Sequence, residues 1–178
     1  MPAFGIASGV GNRHAPGMFQ LPETLPAEKA AAYVLLEQQL RALIRGETDL
    51  LANAANVAAL LYHTLPDVNW VGFYRLVGQE LVLGPFQGRP ACVRLALGKG
   101  VCGTAAARRA SVLVPNVHEF SGHIACDAAS NSELVVPVFK GERLLGVLDL
   151  DSPVTNRFDA ADQLGLERLM AVFGQEAA

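Results

Sequence analysis

The sequence predicts a single α+β domain in which an antiparallel sheet of five or six strands carries the terminal helices on one face. Amphipathic helical patterns lie at both ends, strand pairs joined by short turns lie between them, and hydrophobic residues make up 51% of the 178 residues. Hairpin-linked strands pair antiparallel, and helices at the chain ends cover one face of such a sheet. The other face is left to long loops and a short helix, which would roof a small-molecule pocket.

The chain is predicted to begin with an irregular arm followed by two helices. Residues 1–22 contain several Gly and Pro without periodicity, so we expect an irregular N-terminal arm followed by one domain over 23–178. Apolar residues recur at helical spacing within 26–45 and again within 50–62, and Pro66 lies just beyond the second helix.

The middle of the chain is predicted to be mostly strand. Residues 69–77 and 80–83 form a hairpin pattern, and 84–100 is too rich in Gly and Pro for a regular element. The remaining elements, in chain order, are a helix over 101–109, a strand over 111–114, strands over 134–139 and 143–150, and a helix with Asp159 as N-cap and Asp162 three residues on.

Charge and hydropathy exclude several classes of function. The 14 Lys and Arg against 17 Asp and Glu give a net charge of −3 without a basic run, which argues against a nucleic-acid partner. No apolar stretch reaches the roughly 18 residues of a membrane span, and the N-terminus lacks the pattern of a secretion signal. We therefore expect a cytoplasmic protein in a reducing compartment.

The three cysteines are the first candidates for chemistry, because all lie in or beside the long loops. Cys102 follows Lys99 and opens a predicted helix, where the helix dipole favours a thiolate. Cys126 lies close to His123. Local chemistry leaves Cys102 and Cys126 as alternative nucleophiles, with Cys92 as the third thiol.

Other uses of these residues are disfavoured. The cysteine separations match no zinc knuckle, so no metal is predicted. The glycines over 98–103 match no nucleotide-phosphate motif. His118 and His123 either orient a thiol or form hydrogen bonds within their loop.

Three carboxylates are the second group of candidates. Alternation along the last strand places Asp149 and Asp151 on one face, with Leu144 and Leu148 pointing towards the helices. Glu133 heads the preceding strand. Three acids would bind an amino group, and crowding would keep one protonated as a general acid. The alternative is that the aspartates end the strand in solvent.

Two aromatic residues complete the set. Trp70 and Tyr74 are four apart on a strand and share a face, with Gly72 leaving space between them. They form either a pocket wall or part of the core.

Between Asn69 and Pro153 the chain carries four blocks that resemble one family: NWVGFYRL, LGPFQGRPACVRLALGKGVCGTAAA, VPNVHEFSGHIACDAASNSELVVPV and LLGVLDLDSP. This family is the free methionine-(R)-sulfoxide reductases, single GAF domains that act on the free amino acid. The cysteines within the blocks distinguish the match from a general GAF resemblance. Ser121 stands where relatives often have Pro.

The resemblance implies a role for each site residue. Cys126 would be the nucleophile, Cys92 the resolving thiol and Cys102 an auxiliary thiol. Glu133, Asp149 and Asp151 would be the pocket carboxylates, with Glu133 and Asp151 also candidates for the acid, and the aromatic contacts would be Trp70 and Tyr74.

The implied reaction needs no cofactor. A carboxylic acid protonates the sulfoxide oxygen, Cys126 attacks the sulfur, and the resulting sulfenic acid condenses with Cys92 to a disulfide that thioredoxin reopens. A homodimer through the terminal helices is a further expectation. The alternative is a GAF domain that senses a small molecule or redox state without turnover. The lack of an output domain within these residues counts against this alternative.

Overall fold

The computed structural model describes residues 19–120 and 129–176 of the chain. It contains a six-stranded antiparallel sheet in the order β3-β2-β1-β6-β5-β4. The elements, in chain order, are α1 (Lys29–Ile44), α2 (Leu50–Thr64), β1 (Trp70–Val77), β2 (Glu80–Gln87), β3 (Arg94–Ala96), α3 (Gly100–Arg108), β4 (Val112–Val114), a 3-10 turn (Val117–Glu119), β5 (Ser132–Lys140), β6 (Arg143–Ser152) and α4 (Ala160–Glu176). The predicted α+β class is confirmed.

Side-chain caps fix where the helices begin. The carboxylates of Glu28 and Asp49 accept backbone N–H groups in the first turns of α1 and α2. At α4, Asp159 accepts from the backbone of Ala161 and Asp162, and Asp162 accepts from the backbone N–H of Asp159. This reciprocal cap confirms the predicted start of the last helix.

The two faces of the sheet carry separate apolar clusters. Helices α1, α2 and α4 cover one face, where Val71, Phe73 and Leu148 are buried among helical residues. Helix α3 and the loops cover the other face, where Trp70 and Tyr74 are buried. This second face is the one that the sequence predicts as the pocket. Within residues 19–120 and 129–176, no helix combines the length and apolar character needed to cross a bilayer.

A bulge in β6 changes one predicted orientation. Val138 pairs with Gly146 whereas Phe139 pairs with Leu144, so Leu145 is an extra residue in the ladder. The bulge turns Leu144 towards the pocket-side cluster, and its predicted position beneath the helices is wrong. Gly146 is required here because its φ is 156° and a Cβ would lie 2.0 Å from a backbone oxygen of β1.

The Gly- and Pro-rich stretch after residue 83 is more regular than predicted. Strand β2 continues to Gln87, and β3 forms the edge of the sheet. Gly84 and Pro85 lie where the β1–β2 register shifts, since Gly72 pairs with Phe86 and Tyr74 pairs with Leu83. A proline is tolerated at such a bulge, so its presence did not end the strand.

Asp162 is expected to be the most important charged residue for stability. It is 1% exposed, accepts from the hydroxyl of Tyr33 at 2.9 Å, and pairs with Lys29 and the largely buried Arg157. Asp162→Asn would leave the Arg157 cation without its partner, so we expect a loss of about 3–5 kcal/mol in the free energy of unfolding. Urea denaturation measures this loss. The control Asp159→Asn removes an exposed partner of Lys29 and should cost only about 1 kcal/mol. Equal losses would contradict the assignment.

Candidate active site

The three candidate carboxylates lie together at the centre of the sheet. Asp151 of β6 is paired with Trp70 on one side and with Glu133 of β5 on the other. Asp149, two residues back, is paired in the same way with Gly72 and Val135. Directly paired residues point to the same face, so the acids form a row on the pocket side. Glu133 and Asp149 are each only 6% exposed, so the alternative that the aspartates end in solvent is excluded for Asp149, whereas Asp151 is partly exposed.

Cys102 lies above this row. It is buried in α3, which packs on β5 and β6, and its sulfur lies within 4.8 Å of carboxylate oxygens of Glu133 and Asp149. Burial raises the pKa of the Cys102 thiol well above its usual value, and the charges of Asp149 and Glu133 raise it further. Burial and the two carboxylates thus oppose the thiolate that the helix dipole and Lys99 favour.

The carboxyl groups hold protons more firmly than free acids do. Burial raises the pKa of Glu133 well above its ordinary value, with the charge of Asp151 adding to the effect. Burial likewise raises the pKa of Asp149, and the charge of Glu133 raises it further. Glu133 and Asp149 also hydrogen-bond to each other, an arrangement that favours one proton shared between the two carboxyls. Within the described residues, Asp149 Oδ1 is buried without a hydrogen-bond partner.

The same three groups are the candidate metal ligands of the described chain. The ligand atoms of Cys102, Glu133 and Asp149 lie close enough to converge on an ion. Metal binding requires a thiolate and ionised carboxylates, whereas burial here favours the protonated forms. The arrangement is better suited to storing a proton than to holding a cation.

The aromatic residues form a stacked wall beside the carboxylates. The ring of Trp70 stacks on Tyr74 at 6.0 Å and on Phe86 at 5.4 Å between centroids. The predicted open space at Gly72 is filled, since a Cβ there would lie 2.4 Å from atoms of both Trp70 and Phe86. Phe86 was missed by sequence reasoning because its strand contains Gly84-Pro85.

A small cavity of about 10 Å³, close to the space that one water molecule needs, lies between the aromatic wall and the acids. It is lined by Trp70, Tyr74, Arg89, Pro90, Ala91, Asp149 and Asp151. Trp70 and Tyr74 belong to a buried apolar cluster and also line the cavity. They are therefore part of the core and of the pocket wall at once. Residues 89–91 were not singled out from the sequence, although they lie directly before Cys92.

Cys92 is half-buried on the loop between β2 and β3 and packs against the aromatic cluster. Three hydrogen bonds hold this loop by its backbone carbonyls. Trp70 Nε1 donates to Arg89 at 3.0 Å, Tyr74 Oη donates to Cys92 at 3.1 Å, and the backbone N–H of Leu83 donates to Val93 at 2.9 Å.

Cys126 and His123 lie outside the described residues, but the flanks of their segment are well defined. The backbone N–H of Val117 donates to the carbonyl of Asn131 at 3.0 Å, and Asn131 is bonded to the end of β6. His118 Nε2 lies 2.9 Å from Asn131 Oδ1, so His118 has the structural role within its loop. The described flanks of this segment thus meet next to Ser132, where β5 begins.

Comparisons with known proteins show the family and the fold. Residues 44–175 match the GAF domain family. The chain is 53% identical over 143 residues to the free methionine-R-sulfoxide reductase of Escherichia coli, covering 80% of this chain and 87% of that protein.

Solved structures give the same similarity. The structure of free methionine-R-sulfoxide reductase from Neisseria meningitidis in complex with its substrate is 42% identical, with a TM-score of 0.84, covering 88% of this chain and 94% of that one. A Burkholderia vietnamiensis crystal structure, provisionally described as a GAF sensor, is 58% identical with a TM-score of 0.82, covering 85% of this chain and 96% of that one.

Proposed function

Because the chain belongs to the GAF-domain family of free methionine-(R)-sulfoxide reductases, we propose that it reduces free L-methionine-(R)-sulfoxide to L-methionine through a sulfenic acid and an intramolecular disulfide. The observation that carries this proposal is the buried row of Glu133, Asp149 and Asp151 against the wall formed by Trp70 and Tyr74.

The row supports recognition of a free amino acid. An ammonium group needs carboxylates when it leaves water, and in a peptide that nitrogen is an uncharged amide. We assign this contact to Asp151, which lines the cavity beside Asp149. Trp70 and Tyr74 would pack against the terminal methyl group and sulfur of the substrate. The three acids therefore favour the free amino acid over a methionine sulfoxide within a chain.

The shared proton supports the reduction step. The carboxyl pair Glu133 and Asp149 donates a hydrogen bond or its proton to the sulfoxide oxygen, which makes the sulfur electrophilic. The Cys126 thiolate attacks this sulfur and forms a sulfur–sulfur bond. The protonated oxygen then transfers to the Cys126 sulfur as the sulfur–sulfur bond and the substrate sulfur–oxygen bond break, and methionine leaves with its sulfur reduced by two electrons. The oxygen remains on Cys126 as a sulfenic acid. We assign the acid to the Glu133–Asp149 pair rather than to Asp151, whose charge raises the pKa of Glu133.

The second half of the cycle restores the thiols. The Cys92 thiol attacks the sulfur of the Cys126 sulfenic acid, a disulfide forms and water leaves. Thioredoxin or a similar dithiol then reopens the disulfide by exchange and becomes oxidised itself. We assign Cys102 an auxiliary role, since its buried thiol contacts the acids. Such a cycle suits the reducing cytoplasm.

A homodimer is part of the proposal. Val34 of α1 and Leu164 of α4 are each about half exposed, at 52% and 51%, and they line one groove between the two helices. Exposed apolar residues that share a groove are typical of contact surfaces.

The test uses the separate R and S epimers of free methionine sulfoxide, with dithiothreitol as reductant, and measures methionine by chromatography. We expect turnover of the free R epimer alone, and none of a peptide whose methionine-(R)-sulfoxide has blocked termini. Turnover of the peptide would contradict the role of the acids in binding an ammonium. If the folded protein turned over neither epimer, the sensor alternative would replace the enzyme.

A further inference from the structure

We propose that Tyr74 is a positioning residue for the resolving step, because its hydroxyl fixes the backbone of Cys92. This inference rests on the proposed function, in which Cys92 closes the disulfide with Cys126. It gives Tyr74, already assigned to the substrate wall, a second role that follows methionine formation and acts through Cys92.

The geometry supplies the first argument. The loop that carries Cys92 lies between the end of β2 and the start of β3 and has no helix or strand of its own. Its carbonyls at Arg89 and Val93 are held by Trp70 and by the backbone of Leu83. The carbonyl of Cys92 itself is held by the Tyr74 hydroxyl, at 3.1 Å.

The rigidity of the donor supplies the second argument. Tyr74 is 2% exposed, belongs to the central strand β1, and stacks on Trp70 with 25° between the ring planes. Packing therefore restricts the ring, so the hydroxyl holds the backbone at Cys92 in a defined position. By contrast, Cys92 is half-buried and precedes Val93, which is 63% exposed. The Tyr74 bond thus joins a buried central strand to a loop at the surface.

The consequence concerns the rate of disulfide formation. A sulfenic acid and a thiol react only when the thiol sulfur approaches along the axis of the breaking sulfur–oxygen bond, so small displacements of Cys92 slow the step. Loss of one neutral hydrogen bond that orients the loop should slow disulfide formation about five- to tenfold.

The test is Tyr74→Phe, which keeps the ring and removes the hydroxyl. The matched control is Tyr62→Phe, because Tyr62 of α2 packs with the helix-side cluster on the opposite face. Each protein is mixed with a single equivalent of free methionine-(R)-sulfoxide without reductant. Methionine release is followed by chromatography, disulfide formation by mass spectrometry of the peptide pair containing Cys92 and Cys126, and the sulfenic acid by dimedone labelling.

We expect Tyr74→Phe to slow disulfide formation about five- to tenfold and to slow it more than methionine release, so that the dimedone-labelled fraction increases. Tyr62→Phe should match the wild type in both steps. Equal slowing of both steps, or unchanged disulfide formation, would overturn the proposal.

A substrate-free arm separates this proposal from the proposed function. Hydrogen peroxide converts a cysteine thiolate to a sulfenic acid and is itself reduced to water, so the resolving step can be measured without methionine sulfoxide. Slower disulfide formation in Tyr74→Phe after peroxide treatment supports the positioning role even if the chain reduces no sulfoxide. Equal rates in the variant and the wild type under peroxide contradict it.

Discussion

Cys126→Ser is expected to abolish methionine formation from the free R epimer, because the variant lacks the thiolate that takes the oxygen. Cys92→Ser is expected to behave differently. Without reductant it should release one methionine per chain and then stop, with Cys126 held as a sulfenic acid. Quenched single-turnover assays, with dimedone labelling and intact mass measurement, distinguish these two outcomes.

Cys102→Ser is the control for this experiment. The Cys102 thiol is buried beside two carboxyls that raise its pKa, so it is a poor nucleophile at neutral pH. We expect this variant to release methionine and to form the disulfide between Cys92 and Cys126. Methionine formation that survives in Cys126→Ser would move the nucleophile to Cys102 or Cys92.

Asp149→Asn is expected to lower turnover by about 10²- to 10⁴-fold, the range for losing a general acid or its partner, and to stabilise the fold. The stabilisation arises because a carboxyl that is 6% exposed is costly to ionise within a cluster of acids. Glu133→Gln is the matched variant on the neighbouring strand and should change both properties in the same direction.

The pH dependence of stability checks the origin of this effect. The pKa values of Asp149 and Glu133 are raised in the folded state, so the folded protein binds more protons than the unfolded chain once the pH exceeds about 4. The free energy of unfolding therefore falls as the pH rises through the folded-state pKa values, by about 1.4 kcal/mol for each unit by which a pKa is raised.

Urea denaturation at pH 5 and pH 8 measures this dependence. Asp149→Asn cannot ionise at residue 149, so its gain over the wild type should be larger at pH 8 than at pH 5. A gain that is the same at both values would mean that packing, and not proton binding, is responsible. The turnover of the wild type should decline on the alkaline side as the shared proton is lost.

The placement of the carboxylates was predictable because it follows from local alternation. Residues two apart on a strand share a face, so Asp149 and Asp151 had to lie together, and the hairpin brought Glu133 beside them. The helix cap at Asp159 was predictable for the same reason, since the interacting groups are three residues apart.

Properties set by tertiary contacts were not predictable in the same way. The charge state of Cys102 depends on carboxyls from β5 and β6, which are distant in sequence, and their effect opposes the local signal of Lys99. The bulge that turns Leu144 to the pocket side arises from pairing with β5. The contact from Tyr74 to Cys92 joins two residues whose patterns indicate nothing about each other.

The alignment of the acids of β5 and β6 with each other and with β1 also bears on how the chain reaches its native state. A slip of one residue in either pairing would turn Asp149 and Asp151 under the helices and expose Leu148 to the pocket, at a large cost in desolvated charge. The residues assigned to the reaction thereby select the correct strand register during folding. Since β1 and β6 are far apart along the chain, their pairing forms through a slow, non-local contact. A partly folded chain therefore has thiols but no acid row. Oxidation of those thiols before folding is complete would lack the substrate selectivity of the finished pocket.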